Sequence, residues 1–390
     1  MSSSPAQPRI LTFTHARDMH SVYVSGALDL LGEPNEVVVL DSMLQTGGVT
    51  ISEGSRGARL SVRDQGIDVA LDHLKAHWNR RRPLQMNHRE DSFGPDRPYL
   101  ESCAVTVSRS ISLSGNNGFS VNPATGILLG GDKFAQLRAA KAEGFYIPDT
   151  LISSDAEAVA RFRTVHSDIC AKSVRTINWL NENRSYGAFT TIIPQGSALP
   201  RESVELTPTI YQEVIPKLFE VRLTVFGRYY CCTKIDSQKS ESTSMDWRRD
   251  LSYLRNLTDI SIDDGLHAMA RGVLQRLGLR FGTFDLAFNK EKGWVFFEVN
   301  ESGQFLWQET YSEDAAMLEP FARYLASGDD NFTFDKSKAS HEIRMATLKP
   351  RLAQLRQYEK MMAFPHVPIG TFYLIDETVP APPHSLETAA

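Results

Sequence analysis

The spacing of apolar residues along the chain predicts most of its elements. An apolar run at 9–13, a helical spacing over 19–31 ended by Gly32, and a second run at 36–41 predict strand, helix and buried strand. That order predicts an α/β unit with parallel pairing. The alternating segments Val49-Thr50-Ile51 and Arg59-Leu60-Ser61-Val62 predict a hairpin. Residues 86–98 are polar and read as a loop, 98–115 as a helix, and 116–131 as a turn-rich crossing into a second unit.

Beyond the crossing, a helix is predicted over 133–143, stopped by Gly144, and another after Ser153-Ser154-Asp155, where Glu157 completes a capping signal. Strands follow at 168–174 and 210–214, then a pair over 220–236 broken at Gly227-Arg228. The polar stretch 237–244 is expected to be a mobile loop, and 262–277 a helix closed by Gly278. Two apolar strands come next, 281–288 and 294–300. A turn at Ser327-Gly328-Asp329-Asp330 leads to a charged helix near 340–361, a strand at 370–375 and a Pro-rich tail that reads as disordered. No internal repeat is found.

Composition narrows the class. With 390 residues, 42% hydrophobic and 23% charged, the chain reads as a soluble protein of two or three domains. A net charge of −5 argues against nucleic acid or an anionic membrane as partner, since both call for a basic excess. The start lacks a signal peptide's basic and apolar regions, and no apolar run is long enough to span a bilayer. The four cysteines lack metal-ligand spacing, and adjacent Cys231 and Cys232 on one strand point to opposite faces. They read as reduced packing residues of a cytoplasmic protein.

The chemistry concentrates in the last two apolar strands. Glu298 and Asn300, two positions apart, share one strand face, and Asp285 on the preceding strand supplies a third oxygen ligand. Oxygen-only ligands favour magnesium, an ion that keeps several waters and bridges to nucleotide phosphates. The competing reading is a set of solvent-facing polar residues on an amphipathic edge strand; the nearly all-apolar flanks weigh against it. Lys133, Lys172 and Arg222 are candidate cations for a triphosphate. Taken alone, Lys172 reads as a lysine snorkelling from a strand end, and Lys133 as an ordinary helix-start lysine. Arg222 shares a face with Glu220 and can hold a phosphate through its fork, or form a surface ion pair with that glutamate.

Several separate segments, in order, resemble the ATP-grasp ligases, and among them the ribosomal-peptide maturases that make microviridin-type and other graspetide macrocycles. These are Ile10-Leu11-Thr12-Phe13-Thr14-His15, His77-Trp78-Asn79-Arg80-Arg81-Arg82-Pro83, Val121-Asn122-Pro123 with Asp132-Lys133, Tyr211-Gln212-Glu213, Phe219-Glu220-Val221-Arg222-Leu223, Asp236-Ser237-Gln238, Asp246-Trp247-Arg248 and Glu298-Val299-Asn300. The resemblance spans roughly residues 8 to 325. It implies an α/β (α+β) ATP-grasp fold: a pre-ATP-grasp domain over 1–128, a nucleotide domain over 129–327, and an extension over 328–390 without a counterpart. It further implies ATP and Mg2+, and a precursor peptide (leader plus core) as partner, and it allows a homodimer. Lys133 and Lys172 resemble the family's phosphate-binding lysines. Gln212, Glu213 and Val214 resemble the hinge that reads adenine, where side-chain identity matters little, and Glu220 the glutamate at the ribose or phosphate end. Asp246 and Arg248, with Trp247, resemble an element near peptide and nucleotide; a bare reading makes Trp247 either a ligand clamp or a cover over the core. The implied catalytic set is thus Arg222, Lys172, Asp246 and Arg248. Where the family more often has Pro after the asparagine, this chain has Glu301-Ser302, which leaves that loop's shape and its substrate open. A ligase joining separate molecules, as in glutathione-type addition, and a nucleotide-responsive binding protein without turnover are the alternatives.

Overall fold

The computed structural model describes residues 9–15, 18–40, 48–55, 57–81, 94–114, 118–174, 178–181, 184–187, 190–239, 257–312 and 314–348. The chain opens with strand β1 (Ile10–Thr14), helix α1 (Met19–Leu30) and β2 (Asn35–Val39). Asp18 caps α1 by accepting the Ser21 amide. The predicted hairpin is a three-stranded antiparallel sheet, β3 (Val49–Ser52), β4 (Arg59–Val62) and β5 (Ile67–Ala70). β6 (Ala76–Asn79), helix α2 (Arg97–Ser114) and β7 (Phe119–Val121) complete the unit, and the main sheet runs β2-β1-β6-β7, all parallel.

The crossing at 116–131 differs from its expected turn-rich character. It carries β7 and helix α3 (Ala124–Gly130). Three residues of strand are too few to show a period, and the glycines that suggest turns have a packing cause. A side chain at Gly126 would meet the Gly278 backbone, with the carbonyl carbon only 2.7 Å away.

Helix α4 (Lys133–Ala142) begins where the sequence places it, capped by Asp132 through the Ala135 amide. A small sheet follows: β8 (Thr150–Ser153), helix α5 (Ala156–Val165), β9 (Ile169–Ser173), the hairpin β10 (Asn178–Asn181) and β11 (Arg184–Gly187), β12 (Thr191–Ile193), helix α6 (Arg201–Glu205) and β13 (Thr209–Glu213). Its order is β12-β9-β13-β8, with the β10-β11 hairpin as a separate pair. Asp155 caps α5 through the Glu157 amide, as the capping signal predicts.

The larger antiparallel sheet is built from β14 (Phe219–Phe226), β15 (Tyr229–Ile235), β16 (Thr258–Asp259), β17 (Phe281–Asn289) and β18 (Gly293–Asn300), ordered β16-β15-β14-β17-β18. Gly227, at φ 58°, makes the turn between β14 and β15. Helix α7 (Asp264–Arg276) covers one face, and helices α8 (Trp307–Tyr311) and α9 (Leu318–Ser327) follow β18. Each face packs into its own core. Val221, Leu223, Phe284 and Phe296 join the α7 side, while Phe226, Phe281, Phe305 and Phe321 pack with Trp78 and Phe119 of the first sheet. Cys231 enters one core and Cys232 the other, as strand alternation predicts, and all four cysteines are free thiols.

Residues 340–348 are turns rather than the start of a charged helix. Two buried carboxylates take their backbone amides: Glu319 accepts from Ser340 (2.5 Å) and Glu309 from Met345 (2.8 Å). Ile343 and Leu348 then fill the core beside Phe332 and Phe334. The rest of that helix, the strand at 370–375, the tail, residues 240–244 of the polar loop and Asp246-Trp247-Arg248 lie outside the described residues. Among the described residues no helix is long and apolar enough to cross a membrane.

The first sheet buries a histidine with a measurable consequence. His77 is fully buried, its Nε2 2.7 Å from Ser120 Oγ, and burial first, then the Arg280 charge, pull its pKa down to about 4. The unfolded chain, near 6.5, binds a proton that the folded chain refuses between those values. The share of stability that depends on His77 is therefore complete above about pH 6.5 and falls as pH drops toward 4, by about 3 kcal/mol. Urea denaturation across that range is expected to show the loss, and His77→Gln to make the slope shallower, the buried His20 contributing the rest; an unchanged slope in the variant would refute the assignment.

Candidate active site

The functional face is set by strand register. Arg222, Asp285 and Glu298 are direct partners across β14, β17 and β18, so their side chains form one row. Asn300 lies opposite Thr283 on the same face, two residues along. The sequence argument that Asp285, Glu298 and Asn300 converge therefore agrees with the register.

The row alternates in charge. Arg222 Nη1 is 2.5 Å from Asp285 Oδ1, and Lys133 Nζ, from the first turn of α4, is 2.5 Å from Glu298 Oε2. Carboxylates directly opposite one another repel, and here a cation sits on each. Arg222 does not pair with Glu220, so their surface ion pair is absent; Glu220 Oε1 instead accepts from Lys217 Nζ (2.8 Å) and Ser237 Oγ (2.7 Å). Arg222 is 7% exposed and its buried Nε lacks a hydrogen-bond partner among the described residues. A buried N–H of a cation in that state calls for an oxygen that none of the described residues supplies.

Two features of β18 escape a reading of the sequence. The register shifts between Asp285 and Leu286, so Phe297 is an extra, bulged residue between Phe296 and Glu298. The signal was the paired Phe296-Phe297, which breaks the strand's alternation. The Lys172 ammonium lies 5.1 Å and that of Lys217 5.9 Å from the centre of the Phe297 ring, so the small sheet's lysine faces the large sheet here. Ile215, Ala287 and Val295, with Tyr146 and Phe297, form an apolar patch beside the row. The second feature is the covered edge. Tyr146 donates its amide to Trp294 and accepts that of Phe296, while the buried Gln136 side chain pairs with both the N–H and C=O of Val299.

The residues expected at the hinge are more engaged than that role requires. Gln212 accepts from Lys172 Nζ (2.6 Å) and donates to Thr150 Oγ1 (2.9 Å). Glu213 receives Lys292 Nζ (2.8 Å), Tyr146 Oη (3.0 Å) and the Asp149 amide (3.2 Å). Burial raises its pKa, yet these hydrogen bonds outweigh burial and hold it below the ordinary value. Gln212 thus ties strands within the small sheet and Glu213 links it to the β17–β18 turn through Lys292, while Val214 is half-buried beside the buried Ile215. Asp149, His166 and Glu213 also lie together, but Glu213 already spends both oxygens.

Gln308 is a further unforeseen residue. It is fully buried on the same sheet face, donating to the Arg222 carbonyl (3.1 Å) and Thr233 Oγ1 (2.7 Å) and accepting from Thr224 Oγ1 (2.8 Å). It fixes the backbone that carries Arg222. Nothing in its sequence neighbourhood marks it.

The donor set fits a hard cation: two carboxylates and an amide on one face, all oxygen, with an adjacent buried arginine. The chemistry available is neutralisation and positioning of a phosphorylated group between Lys172 on one side and Arg222, Lys133 and the carboxylates on the other.

No protein-family model matches the sequence, and no curated protein matches it. Solved structures do. The RiPP-associated ATP-grasp ligase of Chryseobacterium gregarium, solved with ADP and a leader and core peptide, superposes with a TM-score of 0.73 at 21% identity, over 82% of this chain and 96% of that one. The macrocyclase MdnC of Microcystis aeruginosa, bound to its precursor peptide MdnA, gives 0.69 at 21% identity, over 82% and 99%. The ATP-grasp ligase PsnB, with a phosphomimetic variant of a minimal precursor, Mg and ADP, gives 0.64 at 19%, over 83% and 99%. The chain has the ATP-grasp fold, an α/β architecture.

Proposed function

We propose that this protein is an ATP-dependent ligase that closes rings in a ribosomal precursor peptide. The observation that carries the reading is the row Arg222–Asp285–Glu298–Lys133 facing Lys172, a concentration of paired charge on one strand face. The peptide ligands of the structurally similar ligases support the substrate class. An Asp or Glu side-chain carboxylate of the peptide attacks the terminal phosphorus of ATP, giving an acyl phosphate and ADP. A Thr, Ser or Lys side chain of the same peptide then attacks the acyl carbon, giving ester or amide and releasing phosphate.

Lys133, Lys172 and Arg222 spread the charge that builds on the transferring group. Asp285, Glu298 and Asn300 would hold Mg2+, which when bound neutralises phosphate charge. By the resemblance, Gln212, Glu213 and Val214 would meet the adenine edge and Glu220 the ribose or phosphate end, with Asp246 and Arg248 in the catalytic set near peptide and nucleotide. Residues 1–128, 129–327 and 328–390 are the units of this reading, which includes a cytoplasmic location and allows a homodimer.

Mass spectrometry of candidate peptides with ATP tests the proposal. Loss of one water per ring supports it; addition of a second molecule indicates an intermolecular ligase, and no change a binding protein. Lys172→Ala tests the nucleotide side. Among the described residues its ammonium contacts a neutral amide and an aromatic face, so its charge is not cancelled there. Nucleotide affinity or turnover is expected to fall at least tenfold, the loss of a charge-assisted contact; intact values of both would leave Lys172 a snorkelling strand residue.

A further inference from the structure

Three side chains of the amino-terminal unit hold the backbone of the segment that follows Asn300. Asn122, at the end of β7, donates to the Glu301 carbonyl (2.7 Å). Arg80, just past β6, donates Nη1 to the Ser302 carbonyl. His20, in the first turn of α1, accepts the amides of Phe305 (3.1 Å) and Leu306 (3.3 Å). All three are at most 2% exposed, and all three bind backbone, so the contact is to the course of the chain and not to its side chains.

Burying a guanidinium, an imidazole and an amide costs free energy that apolar packing would not. The guanidinium is itself held. Asp18 Oδ1 lies 3.3 Å from Arg80 Nη2, while Asp18 Oδ2 receives Thr14 Oγ1 (2.9 Å) and the Ser21 amide (3.3 Å). Asn79 Nδ2 likewise holds the Asn122 carbonyl (2.9 Å). The segment is also pressed onto β17: a side chain at Gly303 would meet the Phe281 ring at 3.0 Å. Its near end reaches the site, because the Ser302 amide donates to Asn300 Oδ1 (3.2 Å).

We propose that Arg80, His20 and Asn122 are positioning residues: by fixing the backbone of residues 301–306 they orient the Asn300 side-chain oxygen through the Ser302 amide. The first domain thereby tunes the cation site of the second. This rests on the reading of Asn300 as a ligand in an ATP-dependent enzyme.

Amide hydrogen exchange of the protein without nucleotide reads the clamp itself, whatever the activity. Arg80→Lys, and the pair Asp18→Asn with Arg80→Met, which leaves no buried charge unpaired, are expected to speed exchange in 301–306 about tenfold while β17 stays protected. His20→Leu should do the same at Phe305 and Leu306, and His20→Gln, which retains an acceptor, should restore protection. Manganese titrated against protein and a non-hydrolysable ATP analogue, followed by electron paramagnetic resonance, reads the coupling. Half-saturation is expected to rise at least tenfold in the Arg80 variants, with metal-free nucleotide affinity unchanged. Unaltered exchange overturns the clamp, and faster exchange with unaltered manganese binding overturns the coupling. If the unaltered protein binds no metal–nucleotide complex, the functional reading fails and the exchange data alone decide the clamp.

Discussion

Glu298→Gln is expected to abolish ADP release while leaving the melting temperature within about two degrees. Glu298 stands directly opposite Asp285, and each carboxylate is paired with a cation 2.5 Å away. Neutralising one member removes a like-charge repulsion and one ion pair together. Lys133 is about a quarter exposed and is rehydrated when its partner loses charge, so the two effects offset to within about 1 kcal/mol. Activity has no such compensation. Removing one preorganised charge from a closed phosphoryl-transfer site costs roughly 3–4 kcal/mol, or a hundredfold or more in rate. A coupled ADP assay and a thermal melt check both halves, and normal turnover at saturating magnesium would remove Glu298 from the site.

Gly126→Ala is expected to be among the most destabilising single substitutions in the fold, by about 3 kcal/mol. Here the backbones of α3 and of the turn after α7 touch without side chains between them. Neither can step aside cheaply: Gly126 lies within a helix, and Gly278 holds a left-handed turn at φ 66°. Gly54→Ala, where nothing lies within 4 Å of the added carbon, is the control and is expected to change stability by less than about 0.5 kcal/mol. Equal urea midpoints for the two variants would show that the helices have room to part.

These two sites differ in how far the sequence reveals them. The carboxylate row was legible because strand alternation is strict: two residues apart means one face, and an acidic residue among apolar neighbours stands out. Helix starts at Asp18, Asp132, Asp155 and Asp263 carry side chains that satisfy end amides, a local signal. What stayed hidden depends on residues far apart in the chain. Gly126 meets Gly278, Gln308 meets Arg222 and Thr233, and Arg80 meets Ser302; each pairing exists only once the sheets are stacked. The Phe297 bulge lies between these cases, visible as a doubled aromatic but not assignable until β17 supplies the register. Residues 340–348 failed for the opposite reason, since local helical propensity lost to buried carboxylates on α8 and α9 that bind the segment's amides.

Under the proposed function, the closed edge of β18 constrains how a precursor peptide arrives. A common way to capture an extended chain is to let it join a sheet as one more strand, its backbone completing a ladder left open. Along β18 the outward carbonyl of Trp294, the amide of Phe296 and both groups of Val299 are already taken by Tyr146 and Gln136. In the proposed reaction a peptide carboxylate would reach Glu298 and Asp285 from above the sheet, side chain first, with its backbone free to bend. Such delivery suits a substrate that must fold back on itself, because a chain held flat in a ladder could not bring two of its own side chains together.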